Sequence, residues 1–273
     1  MNYVKGIDIS KWQGNYDLAD RVKNHGCKFV IMRVGFGRGI NNMDKQFLNN
    51  YEKACELGIL KGGYQYSYAV NVEQARQEAI TLVKWLDGKH FELPIFWDVE
   101  DKSQMYLSKA TLEEMFKAWS EVVENAGYVV GVYANQYWYN SKLSDYVKNN
   151  CVRWVAKWAE KEPSTEWEIW QFTSNDGKLD EDYMKIGVYN AYKNVENSVD
   201  DVENPHKEIR VGDTVRVKSG AVYGGLYKKT MGKPVPNWVQ QEVLTVRKLA
   251  EHNGVKEALL HPINSWVAVK YLY

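Results

Sequence analysis

The sequence predicts an α/β fold, a parallel barrel or doubly wound sheet, with a small all-β module after it. Three observations predict it. Short apolar runs alternate with helix-period stretches through about residue 174. Polar and aromatic side chains recur at the C-terminal ends of those runs, where such folds gather their chemistry. From about Tyr189 the pattern fails, and beyond 208 only short strand-like runs between Gly, Asn and Pro turns remain.

Taken in order, strands are expected at 6–10, 29–35, 62–68, 93–100, 129–135, 153–158 and 168–174. Helices are expected near 16–25, 43–58, 71–88, 109–126 and 137–149. Ala75, Ala79, Leu82, Val83 and Leu86 recur at helix spacing, Ser108 or Thr111 before Glu114 resembles a capping signal, and Gly58 and Gly127 stand where helices should stop. The strand ends carry Asp8 and Ser10, then Arg33, then Tyr64, Tyr66 and Tyr68. Asp98 and Glu100 follow, then Tyr133 and Asn135, Trp158 and Gln171. Residues 189–207 read as a linker between 1–188 and 208–273, and the last segment holds strands near 214–218, 243–249, 257–261 and 266–271.

The run Leu93-Pro94-Ile95-Phe96-Trp97-Asp98-Val99-Glu100 stands out. Its two acids are spaced i, i+2, so on a strand they share a face about 7 Å apart. Either they are a solvated strand end, or they are a general acid and a helper carboxylate at a barrel mouth.

Composition narrows the choice of partner. The 35 basic and 35 acidic residues balance, which argues against nucleic acid. Eleven Trp and 19 Tyr are unusually many; most are expected in the core, and since aromatic faces also stack on sugar rings the excess favours a carbohydrate ligand. The 5 His show no metal-ligand spacing and no Cys/His cluster exists, so neither metal nor cofactor is expected. Cys27, Cys55 and Cys151 read as reduced, mostly buried thiols. No basic-then-apolar leader and no membrane-length apolar run is present, so action outside a cell would need another route of release. Residues 208–273 hold 10 Lys and Arg against 5 Asp and Glu, which suits either an anionic polymer or a merely solvated face.

Several segments together resemble glycoside hydrolase family 25, the Chalaropsis-type lysozymes (N-acetylmuramidases). They are Gly6-Ile7-Asp8-Ile9-Ser10 with Trp12-Gln13-Gly14, Phe29-Val30-Ile31-Met32-Arg33, Gly62-Gly63-Tyr64, Pro94 to Glu100 and Val132-Tyr133. Trp154-Val155-Ala156 and Ile169-Trp170-Gln171-Phe172-Thr173-Ser174 complete the series, and the resemblance covers about 1–187. It implies a flattened (β/α) barrel with some helices reduced. It implies four site acids: Asp8, Asp98, Glu100 and Asp180. The last sits in a late motif usually written Val-Asp-x-Asn, here Leu179-Asp180-Glu181-Asp182, with Asp182 as the alternative. Val211-Gly212-Asp213-Thr214-Val215-Arg216-Val217, Gly220 to Gly225, Trp238-Val239, Leu244-Thr245-Val246 and Ser265-Trp266-Val267 are similar to bacterial SH3-type wall-binding modules. The pairing resembles a phage endolysin acting on a Gram-positive wall, made in the host cytoplasm and released by a holin-type escape.

The implied substrate is the peptidoglycan glycan strand, cut between N-acetylmuramic acid and N-acetylglucosamine. Glu100 would be the general acid, kept protonated by an ionised Asp98. Asp98 would then orient the substrate's acetamido group, or Asp180 or Asp8 would activate water. Tyr64, Tyr133, Trp158 and Gln171 would contact sugar. Arg33 would hold a carboxylate ionised or form a structural ion pair. A non-catalytic wall lectin and a bacterial autolysin are the competing readings.

Overall fold

The computed structural model describes the chain except residues 1, 175–177, 201–208, 219–220, 225–230, 253, 262, 264 and 273, and the side chains of 194–200. It divides into two compact units, Met1–Glu196 and Asn197–Tyr273.

Eight strands close the first unit into a barrel. They are β1 (Tyr3–Ile9), β2 (Cys27–Phe36), β3 (Leu60–Tyr66), β4 (Ile95–Asp98), β5 (Val130–Asn135), β6 (Val152–Ala156), β7 (Ile169–Thr173) and β8 (Asp180–Lys185). From β1 to β7 each strand runs parallel to its neighbour. β8 is antiparallel to both β7 and β1 and seals the ring. Four long helices cover the wall: α1 (Leu18–His25), α2 (Phe47–Leu57), α3 (Val72–Leu86) and α4 (Lys109–Asn125). Three of them start at a side chain that accepts an otherwise orphaned N–H, Asp17 for α1, Asn71 for α3 and Ser108 for α4. Gly58 ends α2 in the left-handed conformation, which costs a residue without Cβ little.

The helical layer thins after β5. The stretch expected as one helix is two, α5 (Gln136–Ser141) and α6 (Asp145–Asn149), because Ser144 caps a new start. Among the described residues, no helix lies between β6 and β7 or between β7 and β8.

Strand residues alternate between two cores, as their period of two requires. Ile7, Ile9, Val30, Met32, Ile95, Trp97, Val130 and Val132 pack outward beneath the helices. Phe29, Ile31, Phe96, Tyr133, Trp154, Ile169 and Met184 fill the inside. The fit is close: a Cβ at Gly6 would lie 2.3 Å from the Phe29 ring, and one at Gly131 2.3 Å from the Phe96 ring. Bulk at the barrel floor is therefore bought with glycine opposite phenylalanine.

Two readings of the sequence need correction. β8 was not among the expected strands, because its inward positions are Asp180, Asp182 and Met184, and two acids hide the apolar alternation. The segment expected as a linker from 189 starts inside a helix, α7 (Ile186–Asp200). Its Val188, Tyr189 and Tyr192 pack on the inner cluster. Since β8 ends opposite Tyr3, the start of β1, α7 covers the barrel end away from the strand C-termini. Of the thiols, all free, Cys27 is buried, but Cys55 is exposed.

The second unit is a four-stranded antiparallel sheet in the order β12 (Ser265–Ala268), β11 (Val255–His261), β10 (Leu244–His252), β9 (Thr214–Val215). A short helix, α8 (Asn237–Gln241), precedes β10. Val215, Val217, Val239, Leu244, Val246 and Leu260 form its core.

Candidate active site

The strand C-termini bring the expected acids to one mouth. Asp8 is the penultimate residue of β1, and Asp180 opens β8 directly opposite it. Asp98 closes β4, paired in register with Tyr66 of β3 and Tyr133 of β5. Glu100 lies two residues on, exposed where Asp98 is buried. Asp182 stands one inward step below Asp180 and is wholly buried. Both candidates for the late acid are thus in the barrel, at different depths. The tyrosine rings register the convergence: Tyr133 is acted on by Glu100, Asp98, Asp8 and Asp180, and Tyr64 by Asp8, Asp98 and Asp180.

Gln171 organises one wall. Its Oε1 accepts from Tyr133 Oη at 2.9 Å and from the Trp158 indole N–H at 3.0 Å. An indole N–H only donates, so the amide orientation is fixed and Nε2 must donate, at 2.8 Å to Asp8 Oδ2. Tyr133 also lies edge-on to Trp154, ring centres 4.5 Å apart, and is part of the floor. Trp158 is 65% exposed and free to stack on a ligand. Tyr64 sits partly buried against the same Trp154 ring.

Arg33 resolves into both of its expected roles. Its Nε and guanidinium bond Asp44 Oδ2 at 2.7 Å, so it is a structural ion pair first. Asp44 also accepts the backbone N–H of Lys11 and Gln46, tying down the loops after β1 and β2. Even so, the Arg33 charge still favours ionisation of Asp98. Asp44 and Asp101 were missed by sequence reasoning. Asp101, three residues beyond Asp98, accepts from Tyr66 Oη at 3.1 Å and raises Glu100 by its charge.

Many acids face little positive charge, and Asp8, Asp98, Glu100, Asp180 and Asp182 are all pushed upward, while hydrogen bonds from Ser103 and Tyr66 outweigh desolvation and hold the partly exposed Asp101 below its ordinary value. Asp98 is raised well above the carboxylate range, by burial first and then by Glu100. Glu100, though it reaches solvent, is raised by partial desolvation, then by Asp180 and Asp101. Asp180 reaches about 6 through burial. Asp8 is raised by burial and by Asp182 and Asp180. This corrects one expectation. The sequence suggested an ionised Asp98 keeping a proton on Glu100, whereas depth makes Asp98 the member of the pair driven harder toward the neutral form. One of its oxygens, Oδ1, is buried with no hydrogen-bond partner. Among the described residues no set of His, Cys, Asp and Glu is grouped to hold a metal ion.

The chain that folds into this barrel of seven parallel strands and one antiparallel strand, with an Asp-x-Glu pair at the end of β4, is matched by the family model "Glycosyl hydrolases family 25" over residues 7–180. The chain belongs to glycosyl hydrolase family 25. Among its relatives, the uncharacterized protein YegX of Escherichia coli K12 is 26% identical over 183 residues, 65% of this chain and 65% of that protein. Lysozyme M1 of Streptomyces globisporus is 24% identical over 186 residues, 63% of this chain and 62% of that one. In structure, the CTP1L endolysin superposes with a TM-score of 0.60 at 20% identity, over 70% of each chain. The family match ends at 180, within β8, so Asp182 and α7 lie beyond it.

Proposed function

We propose that the protein is a peptidoglycan hydrolase, a 1,4-β-N-acetylmuramidase, with Glu100 as general acid. The observation that carries the reading is the depth difference within the Asp98–Glu100 pair at the barrel mouth. Glu100 reaches solvent, where a glycosidic oxygen can meet it, while buried Asp98 lies behind it. Two coupled carboxyls share their protons, and the pair retains one to higher pH than either would alone. A sugar settling over Glu100 strips its remaining water and draws that proton outward, onto the group that must donate it.

The leaving oxygen takes the proton as the anomeric centre gains positive charge. Two second steps fit the residues. Asp98, once it has yielded its proton, orients the substrate's acetamido group for attack, which gives retention. Alternatively Asp180 or Asp8 activates water, which gives inversion. NMR of the first-formed anomer separates them: β for assistance, α for direct attack by water. Trp158 supplies a stacking face and Gln171 holds Asp8 in place.

The reading is tested with Glu100→Gln, which keeps the shape and removes the proton. Release of new reducing ends from purified walls is expected to fall roughly 10²- to 10⁴-fold while the fold persists. Wild-type release by this variant would refute Glu100 as the acid. A lectin on the same barrel would release none in either form.

The second unit is assigned, on its sequence cues and basic balance, as an SH3-like module binding a Gram-positive wall polymer. Catalysis joined to wall binding suits a phage endolysin that reaches the wall through a holin-type pore. Expression inside a Gram-positive host is expected to lyse it only when such a pore is co-expressed; lysis without one would favour a secreted autolysin.

A further inference from the structure

Glu78, on α3, is wholly enclosed and takes no part in the chemistry above. Its Oε2 accepts from Ser67 Oγ at 2.6 Å, and its Oε1 accepts the Tyr68 N–H at 2.9 Å. Gln104 Nε2 donates to Ser67 Oγ at 3.1 Å and to the Ala69 carbonyl at 2.9 Å. A carbonyl only accepts, so the orientation of that amide is fixed. The Ala69 N–H lies 3.3 Å from Ser67 Oγ and also favours the carboxylate. The Ser67 oxygen thus receives hydrogens from two sides, and its own O–H is left to donate to Glu78. Both oxygens of Glu78 are acceptors, which describes a carboxylate. A protonated acid or an amide would set a hydrogen against the one Ser67 already points there.

The carboxylate anchors the corner between β3 and α3. The Ser67 N–H bonds the Asp98 carbonyl at 3.0 Å, the Val70 N–H bonds Gln74 Oε1 at 3.1 Å, and Asn71 caps α3. Gln104 ends the 3-10 turn Lys102–Gln104, which Asp101 caps, and Asp101 accepts from Tyr66 Oη. One enclosed network therefore fixes the corner and the loop after β4 together. On the outside of the corner is an aromatic face. Tyr68 is 50% exposed, its ring 5.0 Å from that of Tyr66 and 6.4 Å, edge-on, from that of Phe36. These rings lie at or just past the C-terminal ends of β2 and β3, on the rim that carries the acids. A ring held open on a pinned backbone binds a sugar face without first having to be ordered.

We propose that Glu78 is a positioning residue for substrate binding: as a carboxylate it fastens the corner between β3 and α3, so that Tyr68 presents its ring to the glycan strand as a sugar-stacking residue. The ligand rests on the muramidase reading; the fastening does not. The anchor carries its own pH dependence, because burial raises Glu78 to about 7. Above that pH the acid is ionised in the folded protein and the corner is held. As pH falls through it, the acid takes up a proton and the corner loosens. Arg38, from the loop after β2, is the charged neighbour that favours the carboxylate. The groups of the network from β3, α4 and the loop after β4 are the neutral Gln65, Ser67, Trp119 and Gln104. On its own helix, Arg76 is paired with Glu121 at the surface.

The test uses Glu78→Gln and Tyr68→Ala in the full chain. Gln keeps the shape of Glu78 and mimics its protonated form. At about pH 8 it is expected to raise KM for solubilised glycan strands roughly three- to tenfold and to change kcat by less than about twofold, because the acids stay on their own strands. Tyr68→Ala keeps the backbone N–H that Glu78 holds, and is expected to raise KM to a similar extent. Wild type is expected to approach the KM of the Gln variant at about pH 6, a change the Gln variant itself lacks. A second readout needs no activity. Hydrogen exchange at the Tyr68 and Ala69 amides, corrected for its intrinsic pH dependence, is expected to be faster in Glu78→Gln than in wild type at about pH 8, while the amides of β1 stay protected. The proposal is overturned if the Gln variant keeps wild-type KM or wild-type exchange at the corner, since a role in filling space tolerates an isostere. It is equally overturned if the loss falls on kcat with KM unchanged, or if Tyr68→Ala leaves KM unchanged. A wild-type protein that releases no sugar would defeat the muramidase reading alone, and the exchange comparison would still decide on the Glu78 anchor.

Discussion

Asp98 is buried and Glu100 exposed, and that difference separates their electrostatics. Both are raised, Asp98 by enclosure and Glu100 by a mixture of enclosure and neighbouring acids. Like charges raise the last ionisation of a pair, so replacing one partner with a neutral isostere should relax the other. Asp98→Asn is therefore expected to move the alkaline limb of kcat/KM to lower pH, besides reducing the rate. A limb that stays in place would mean that the two carboxyls do not communicate. The sequence led to the expectation that these two acids share a face of one strand, but β4 ends at Asp98 and Glu100 lies beyond it. Nor did the sequence show which lies deeper, since depth follows from where the strand ends and the chain turns outward. The same limit applied to Asp180 and Asp182. Their spacing places both inward, but only the antiparallel register of β8 puts Asp180 at the rim and Asp182 below it.

The elements legible in the sequence are those whose apolar period is uninterrupted. The first seven strands and the four long helices belong to this group. β8 was hidden because its inward side chains serve the site rather than the core. α7 was hidden because its apolar residues, Val188, Tyr189 and Tyr192, are few and set among Asn, Lys and Glu. They nonetheless cover the inner cluster. A chain ended at 188 would lose Tyr189 and Tyr192, whereas one ended at 196 keeps them. The shorter chain is expected to melt lower by on the order of 5–10 °C. Equal melting temperatures by circular dichroism would remove α7 from the barrel's core. Loss of activity in the shorter chain should follow its stability, because α7 lies at the end of the barrel away from the acids.

At the scale of the molecule, the chain divides into two compact units, and the proposed chemistry and the proposed attachment are assigned one to each. The barrel carries all the site acids, and the second unit carries 10 basic against 5 acidic residues over 208–273. Among the described residues no helix is long and apolar enough to cross a membrane. Ending the chain at 196 is expected to abolish sedimentation with Gram-positive walls in low salt while leaving hydrolysis of solubilised glycan strands nearly intact. Undiminished sedimentation would place wall binding in the barrel. The division of labour presupposes that the barrel cuts a muramic linkage with the proton of Glu100. Mass spectrometry of purified peptidoglycan digested by the full chain tests this most directly. The account predicts fragments that end in a reducing N-acetylmuramic acid, and none from Glu100→Gln. Fragments ending in a reducing N-acetylglucosamine, or the same fragments from that variant, would contradict it.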